Sequence, residues 1–177
     1  GGLGSTYVHY VLAVEAIAQA SGPVAKSVSG QTNMCFPILK YGTEEQKQKY
    51  VVPWVKGEKT SAFTLTEPGA GSDAASIQTA AVLRDGEFIV NGTKAFITGA
   101  READFFQTYC QFVDGSGVKK PMCLLIDVHE CPGITVGRDE NLMGMRAKSV
   151  AEVVFDDVHV PESNLLGEIG KGFHVAM

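Results

Sequence analysis

The residues best suited to chemistry in this chain lie between Phe63 and Thr98. The stretch opens on Phe63-Thr64-Leu65-Thr66, rich in threonine. The loop Glu67-Pro68-Gly69-Ala70-Gly71-Ser72-Asp73 follows. Its glycines allow backbone N–H groups to turn inward and cradle an anion. Further on, Phe96-Ile97-Thr98 places an aromatic ring and a hydroxyl two residues apart, on the same side of a strand. A flat, polar-edged cofactor with a phosphate tail needs a ring to lie on, a hydroxyl at its edge and a phosphate loop. This segment offers all three.

The elements that must position these residues are legible from periodicity. From Lys59 onward apolar and polar residues alternate, as in Phe63 and Leu65 against Thr64 and Thr66. Asp85-Gly86 and Asn91-Gly92 are both signals for tight type I′ hairpins. Further strands are predicted near 104–113, 122–128, 133–138 and 150–156, with a surface turn at Asp114-Gly115-Ser116-Gly117. Upstream, residues 5–56 are helical in pattern. Ser5 is a candidate N-cap, and Tyr7, Tyr10, Val11, Val14, Ile17 and Ala18 form one apolar face. Gly22-Pro23 ends that helix, and a second is predicted over about Val24–Leu39. Thr43-Glu44-Glu45-Gln46 is a capping box for a third, which Pro53 should break or kink before Trp54. The fold class is α+β: a helical segment (1–58), then an antiparallel β barrel or sandwich (59–160), then a linker and the start of a further helical domain (161–177).

Composition narrows the function classes. The chain has 177 residues, 45% hydrophobic and 20% charged, which suits a globular core. A net charge of −5 without a run of Lys or Arg argues against a nucleic-acid partner. No apolar stretch reaches the roughly 18 residues of a membrane span. Cys35, Cys110, Cys123 and Cys131 form no C-x-x-C pair, and the histidines are scattered, so no metal site is expected; thiols of a reducing compartment are the simpler reading. Gly1-Gly2-Leu3-Gly4 is not a dinucleotide fingerprint, because no strand precedes it and no βαβ unit follows.

The motifs resemble the flavin-binding middle domain of the acyl-CoA dehydrogenase family. That pattern is hydrophobic-x-x-[ST]-E-P-x-x-G-S-D, then N-G-x-K-x-[aromatic]-I-[ST]. Here it stands as Phe63, Leu65, Thr66, Glu67, Pro68, Gly71, Ser72 and Asp73, then Asn91, Gly92, Lys94, Phe96, Ile97 and Thr98. A third match runs from Asp157 to Gly172. The first residues and helices also resemble the family's first domain. Against the family, the chain starts partway into that domain and stops at Met177 as a new helix begins. The resemblance therefore implies part of a longer protein of the bacterial cytoplasm or the mitochondrial matrix, with any targeting segment outside this sequence.

The resemblance implies roles residue by residue. FAD is the expected cofactor, bound by Phe63, Leu65, Thr66, Gly71, Ser72, Phe96, Ile97 and Thr98. Thr98 would hydrogen-bond flavin N5 and Thr66 would sit near the pyrimidine edge. Gly69, Gly71 and Ser72 would contact the pyrophosphate, with Ser72 also near bound acyl-CoA. Phe96 departs from the family's usual Trp, keeping a π-face but losing the indole N–H. Glu67 and Asp73 are assigned structural places in the loop, Arg146 a turn, and Asp114 to Lys120 a solvated charged turn.

The activity implied is α,β-dehydrogenation of acyl-CoA to trans-2-enoyl-CoA, with electron-transfer flavoprotein as acceptor and a tetrameric or dimeric parent. The base that removes the α-proton is expected beyond Met177. Alternatives are an acyl-CoA oxidase or related flavin monooxygenase, or a catalytically silent binding scaffold.

Overall fold

The computed structural model describes residues 4–176; Gly1, Gly2, Leu3 and Met177 lie outside the described residues, as do the side chains of Gln31 and Asn33. The glycine-rich opening, read above as no fingerprint, falls mostly on that undescribed start.

Helix α1 spans Tyr7–Ala20 and α2 spans Gly22–Tyr41. The N-cap of α1 is Thr6 rather than Ser5, and its backbone N–H donates to His9 Nδ1 at 3.3 Å. Helix α2 is longer than its pattern suggests and runs through Pro37. Thr43 caps α3 (Glu44–Gln46) as expected: its hydroxyl accepts from the Gln46 N–H at 3.2 Å, and Gln46 Oε1 accepts in return from the Thr43 N–H at 3.1 Å. Pro53 does not break the helix that follows. The chain instead takes a π-helical turn over Lys47–Val51 before α4 (Val52–Val55). A wider turn accommodates a residue that lacks an N–H and crowds the carbonyl four residues earlier.

The described strands form one seven-stranded sheet: β1 (Ser61–Thr64), β2 (Ala80–Arg84), β3 (Glu87–Thr98), β4 (Phe105–Val113), β5 (Lys119–Asp127), β6 (Ile134–Asp139) and β7 (Val150–Pro161). Its order is β1-β4-β2-β3-β7-β6, with β5 on the other edge of β4. Most pairings are antiparallel, but β1 and β2 both run parallel to β4, so the sheet is mixed. Those two short strands share one edge of β4 in succession, Ser61 opposite Phe105 and Ala80 opposite Gln111.

Asp85-Gly86 makes the predicted two-residue hairpin: Arg84 pairs with Glu87, and both turn residues have positive φ, 51° and 83°. Asn91-Gly92 makes none. It lies inside the continuous strand β3, at a register shift between Val90 and Gly92 against β7. The extra residue at that shift is on β7, since Val90 pairs with Val158 and Gly92 with Phe155, and Asp157 takes φ 47°. Gly92, at φ 152°, lets the Thr79 backbone come close: a Cβ there would lie 2.7 Å from Thr79 Cα.

Strand alternation splits the core in two. Phe88, Val90, Phe106, Leu124, Val153 and Phe155 fill the inner side of the curled sheet. Phe105, Tyr109 and Leu125 point the other way and meet Ile38, Tyr50 and Trp54 from the helical segment. Gln46 Nε2 ties that segment to the chain after β7, donating to the carbonyls of Ser163 (2.8 Å) and Leu165 (2.9 Å). The last described helix, α5 (Gly172–Ala176), starts against β5, where a Cβ on Gly172 would sit 2.5 Å from Met122 N. Among the described residues no helix is long and apolar enough to cross a membrane, and no group of His, Cys, Asp or Glu is placed to hold a metal ion.

Candidate cofactor site

The site is built where the end of β1 meets the end of β3. The Thr64 hydroxyl is buried and satisfied, 3.1 Å from the Gln107 carbonyl and 2.8 Å from Thr108 Oγ1. Beyond Thr64 the chain leaves the sheet. Its next residues are held by β3, because the Ala95 N–H donates to the Thr66 carbonyl at 2.9 Å. Thr66 is thereby fixed beside the segment that carries Phe96 and Thr98.

A second bulge shapes β3 here. The register against β7 shifts between Lys94 and Ile97, and Phe96 takes φ 56°, a conformation rare for a bulky residue. The consequence is visible in burial. Lys94 and Ala95 are both buried, Phe96 is 64% exposed, Ile97 is 2% exposed and Thr98, opposite Val150, is half-buried. An aromatic face and a hydroxyl are thus offered outward while Ile97 anchors the strand in the core. The Ile97 side chain belongs to that core, and the half-buried Leu65 packs at the margin of the other one. Phe63 is partly exposed, with its ring 4.7 Å from that of Tyr109.

The loop from Pro68 to Ile77 is closed at its neck by Glu67. Glu67 and Ala70 exchange two backbone hydrogen bonds, each 3.1 Å. The Glu67 carboxylate accepts from the N–H groups of Gln78 (2.6 Å) and Thr79 (2.9 Å). It also takes a 2.8 Å ion pair from Lys94, whose side chain is 0% exposed. Lys94 Nζ donates in addition to the carbonyls of Leu65 (3.0 Å) and Tyr109 (2.6 Å). Burial pushes the Glu67 carboxyl up, but the hydrogen bonds from Lys94, Thr79 and Gln78 outweigh it and hold the group below its ordinary range. Burial draws the Lys94 ammonium down against the pull of Glu67.

At the tip, Gly71 and Ser72 are exposed, and open space surrounds Gly69 and Gly71. Among the described residues none accepts from the N–H groups of Gly71 and Ser72, and none bonds the hydroxyls of Thr66, Ser72 or Thr98. Asp73 bonds the Ser76 hydroxyl within the loop. Arg146 Nε donates to the Leu142 carbonyl at 3.1 Å, inside its own turn. In the charged turn Lys120 pairs with Asp114 at 3.0 Å, while Lys119 reaches Gln78 Oε1 at 2.6 Å. A groove of about 960 Å³ lies among the helices around Phe36, Tyr41 and Val55 and contains none of the predicted cofactor residues.

An aromatic face, unpaired hydroxyls at its margin and a loop with free N–H groups suit a flat cofactor with a pyrophosphate. The residues present therefore fit FAD. Sequence reasoning quoted Lys94 in its motif but gave it no role. It shares parity with the buried Phe88 and Val90, and the bulge that follows it turns Phe96 and Thr98, of the same parity, outward.

Residues 62–158 match the family model for the acyl-CoA dehydrogenase middle domain, and residues 1–58 match that for the acyl-CoA dehydrogenase N-terminal domain. The chain belongs to the acyl-CoA dehydrogenase family. It is 40% identical, over 100% of its length and 47% of the relative's, to the short-chain specific acyl-CoA dehydrogenase of Clostridium acetobutylicum. Among solved structures it is similar to the butyryl-CoA dehydrogenase of Megasphaera elsdenii (TM-score 0.91, 39% identity, 98% of this chain and 46% of that one). It is also similar to an acyl-CoA dehydrogenase complexed with FAD from Bacillus anthracis (TM-score 0.90, 34% identity, 99% and 30%). The chain thus spans about half the length of the curated relatives it matches.

Proposed function

We propose that this chain forms the FAD-binding face of an enzyme that dehydrogenates acyl-CoA thioesters to trans-2-enoyl-CoA, with short-chain substrates favoured by the name of its Clostridium relative. One observation carries the reading. Thr64, two residues before Thr66, has its hydroxyl fully bonded inside the protein, whereas the hydroxyls of Thr66, Ser72 and Thr98 have no partner among the described residues. The open hydroxyls of Thr66, Ser72 and Thr98 support a polar ligand at this face.

FAD, when bound, supplies the acceptor for the β-hydride. Thr98 and Thr66 place hydroxyl donors at the margin of the Phe96 face, where they stabilise negative charge that develops there. The N–H groups of Gly71 and Ser72 bind the pyrophosphate. Phe63, Leu65 and Ile97 contribute backbone and apolar contacts. We place the carboxylate that removes the α-proton outside these residues. Glu67, the carboxylate next to Thr66, is committed to Lys94 and two backbone N–H groups. Electron-transfer flavoprotein is the proposed acceptor, and a homo-oligomer the proposed assembly.

The test is Thr98→Ala in the FAD-loaded enzyme. Flavin reduction by butyryl-CoA should slow by roughly ten- to hundred-fold, the scale of one positioned donor, with cofactor content near normal. Reduction at the unaltered rate in stopped flow would refute the role of Thr98. Peroxide formed in air, in place of anaerobic dye reduction, would move the reading to an acyl-CoA oxidase.

A further inference from the structure

We infer that the buried Glu67–Lys94 pair is a positioning device for the anion loop: Glu67 locks the loop neck in its binding shape, and Lys94 cancels the charge that Glu67 would otherwise present to a bound phosphate. This rests on the reading of Gly71 and Ser72 as a pyrophosphate cradle.

The shape argument comes from the bonds that Glu67 accepts. Its carboxylate takes the N–H groups of Gln78 and Thr79 on the far side of the loop, while its own backbone pairs with Ala70 on the near side. One side chain therefore joins the two ends of residues 68–77. A loop closed in this way loses little further conformational freedom when an anion binds, so less of the contact energy goes into ordering it. The side chain that does this needs several acceptor lone pairs in one plane, which a carboxylate has.

The charge argument follows from that choice. A carboxylate at the neck of a phosphate loop repels the ligand unless it is neutralised. Lys94 supplies the opposite charge at 2.8 Å, and its other bonds go to carbonyls that present negative dipoles. Buried as it is, the ammonium serves the protein interior and does not reach the ligand itself. The other titratable groups facing the pair are Cys110 and Cys123, which burial keeps neutral, the Cys110 thiol being pushed up to about 12. At the rim, Lys119 is bonded to Gln78 Oε1 and Asp73 to Ser76.

A purely structural pair and a charge-cancelling pair differ in their pH signature. In Lys94→Met, Glu67 loses its partner, and its carboxylate faces the pyrophosphate uncompensated at high pH. FAD binding should weaken by about tenfold or more at alkaline pH, the scale of one like-charge juxtaposition. It should recover as pH falls, because an unpaired buried carboxyl takes up a proton well above its ordinary range. In the double variant Glu67→Gln, Lys94→Met, binding should return toward wild type and lose its pH dependence.

The measurement is FAD titration of the three proteins between about pH 8 and pH 6, the range in which an unpaired buried carboxyl titrates. Hydrogen exchange of the FAD-free wild type accompanies it. The Gln78 and Thr79 amides should exchange slowly without FAD, and fast exchange there would overturn the locked neck. A Lys94→Met protein that binds like wild type at high pH, or whose deficit is the same at every pH and in the double variant, would overturn the charge role. Failure of the wild type to bind FAD would sink the cofactor reading; the exchange data would still judge the lock.

Discussion

Helix α1 and strand β3 both carry apolar residues at the spacing their elements require, yet they use them in opposite ways. The stripe predicted on α1 is mostly exposed, with Tyr7 at 80%, and no residue of that helix is buried. In β3 the apolar residues Phe88, Val90 and Ile97 are closed into the core, and even Lys94 is enclosed. Periodicity states which side of an element is apolar; it does not state whether anything covers that side. In β3 the cover comes from strands paired on both edges and a curled sheet. Among the described residues α1 packs chiefly against α2, with Tyr10 Oη reaching the Ser29 carbonyl at 3.4 Å.

The contrast can be broken most forcefully at Phe88, which is 0% exposed. Phe88→Ala should cost about 3–5 kcal/mol of stability, the usual loss for a buried ring, read from urea unfolding. A loss under about 1 kcal/mol would mean that the sheet interior is less tightly packed than its burial implies.

Gly92→Ala tests the close approach of Thr79 that stands where the hairpin was predicted. A Cβ there meets Thr79 Oγ1 at 2.5 Å and Thr79 Cα at 2.7 Å, so overpacking should cost about 1–3 kcal/mol. Gly86→Ala serves as a control for steric contact: its φ is also positive, at 83°, but no atom lies within 4 Å of its Cβ position, and it should cost less.

Glu67 sharpens the comparison through pH. Its folded carboxyl is held below the ordinary value of 4.5, so its stabilisation is complete above that value and is lost as pH falls through the folded one. Unfolding midpoints should therefore drop on acidification below about pH 4.5, and Glu67→Gln should flatten that slope. The smallest effect is expected on the exposed helix. Val11→Ala should change stability by no more than about 0.5 kcal/mol, and a larger loss would show that the α1 face is covered in solution.

Much of the fold was legible. The α+β class, the capping box at Thr43 and the hairpin at Asp85-Gly86 follow from short-range rules, because each is decided by residues within a few positions of one another. The motif residues proposed for the cofactor were also visible as a pattern, and the structure brings Thr66 beside the segment of Phe96 and Thr98 through the Ala95–Thr66 backbone bond. What escaped were consequences of contacts between distant segments. Asn91-Gly92 carries the same local signal as Asp85-Gly86, but Thr79 on one side and Asp157 on the other hold it inside a strand; Asn91 Nδ2 donates to Asp157 Oδ1 at 2.8 Å.

The sequence by itself determined the local conformations: where helices are capped, where a glycine must take positive φ, and which loop has free N–H groups to offer. Only the tertiary structure decided which hydroxyls remain unpaired, what Lys94 pairs with and which strands run parallel. The physical reason is the same for all three. A hydroxyl, an ammonium or a strand edge is satisfied by whatever partner the fold delivers, and those partners lie far away in the chain: Thr108 for Thr64, Glu67 for Lys94 and β4 for β1.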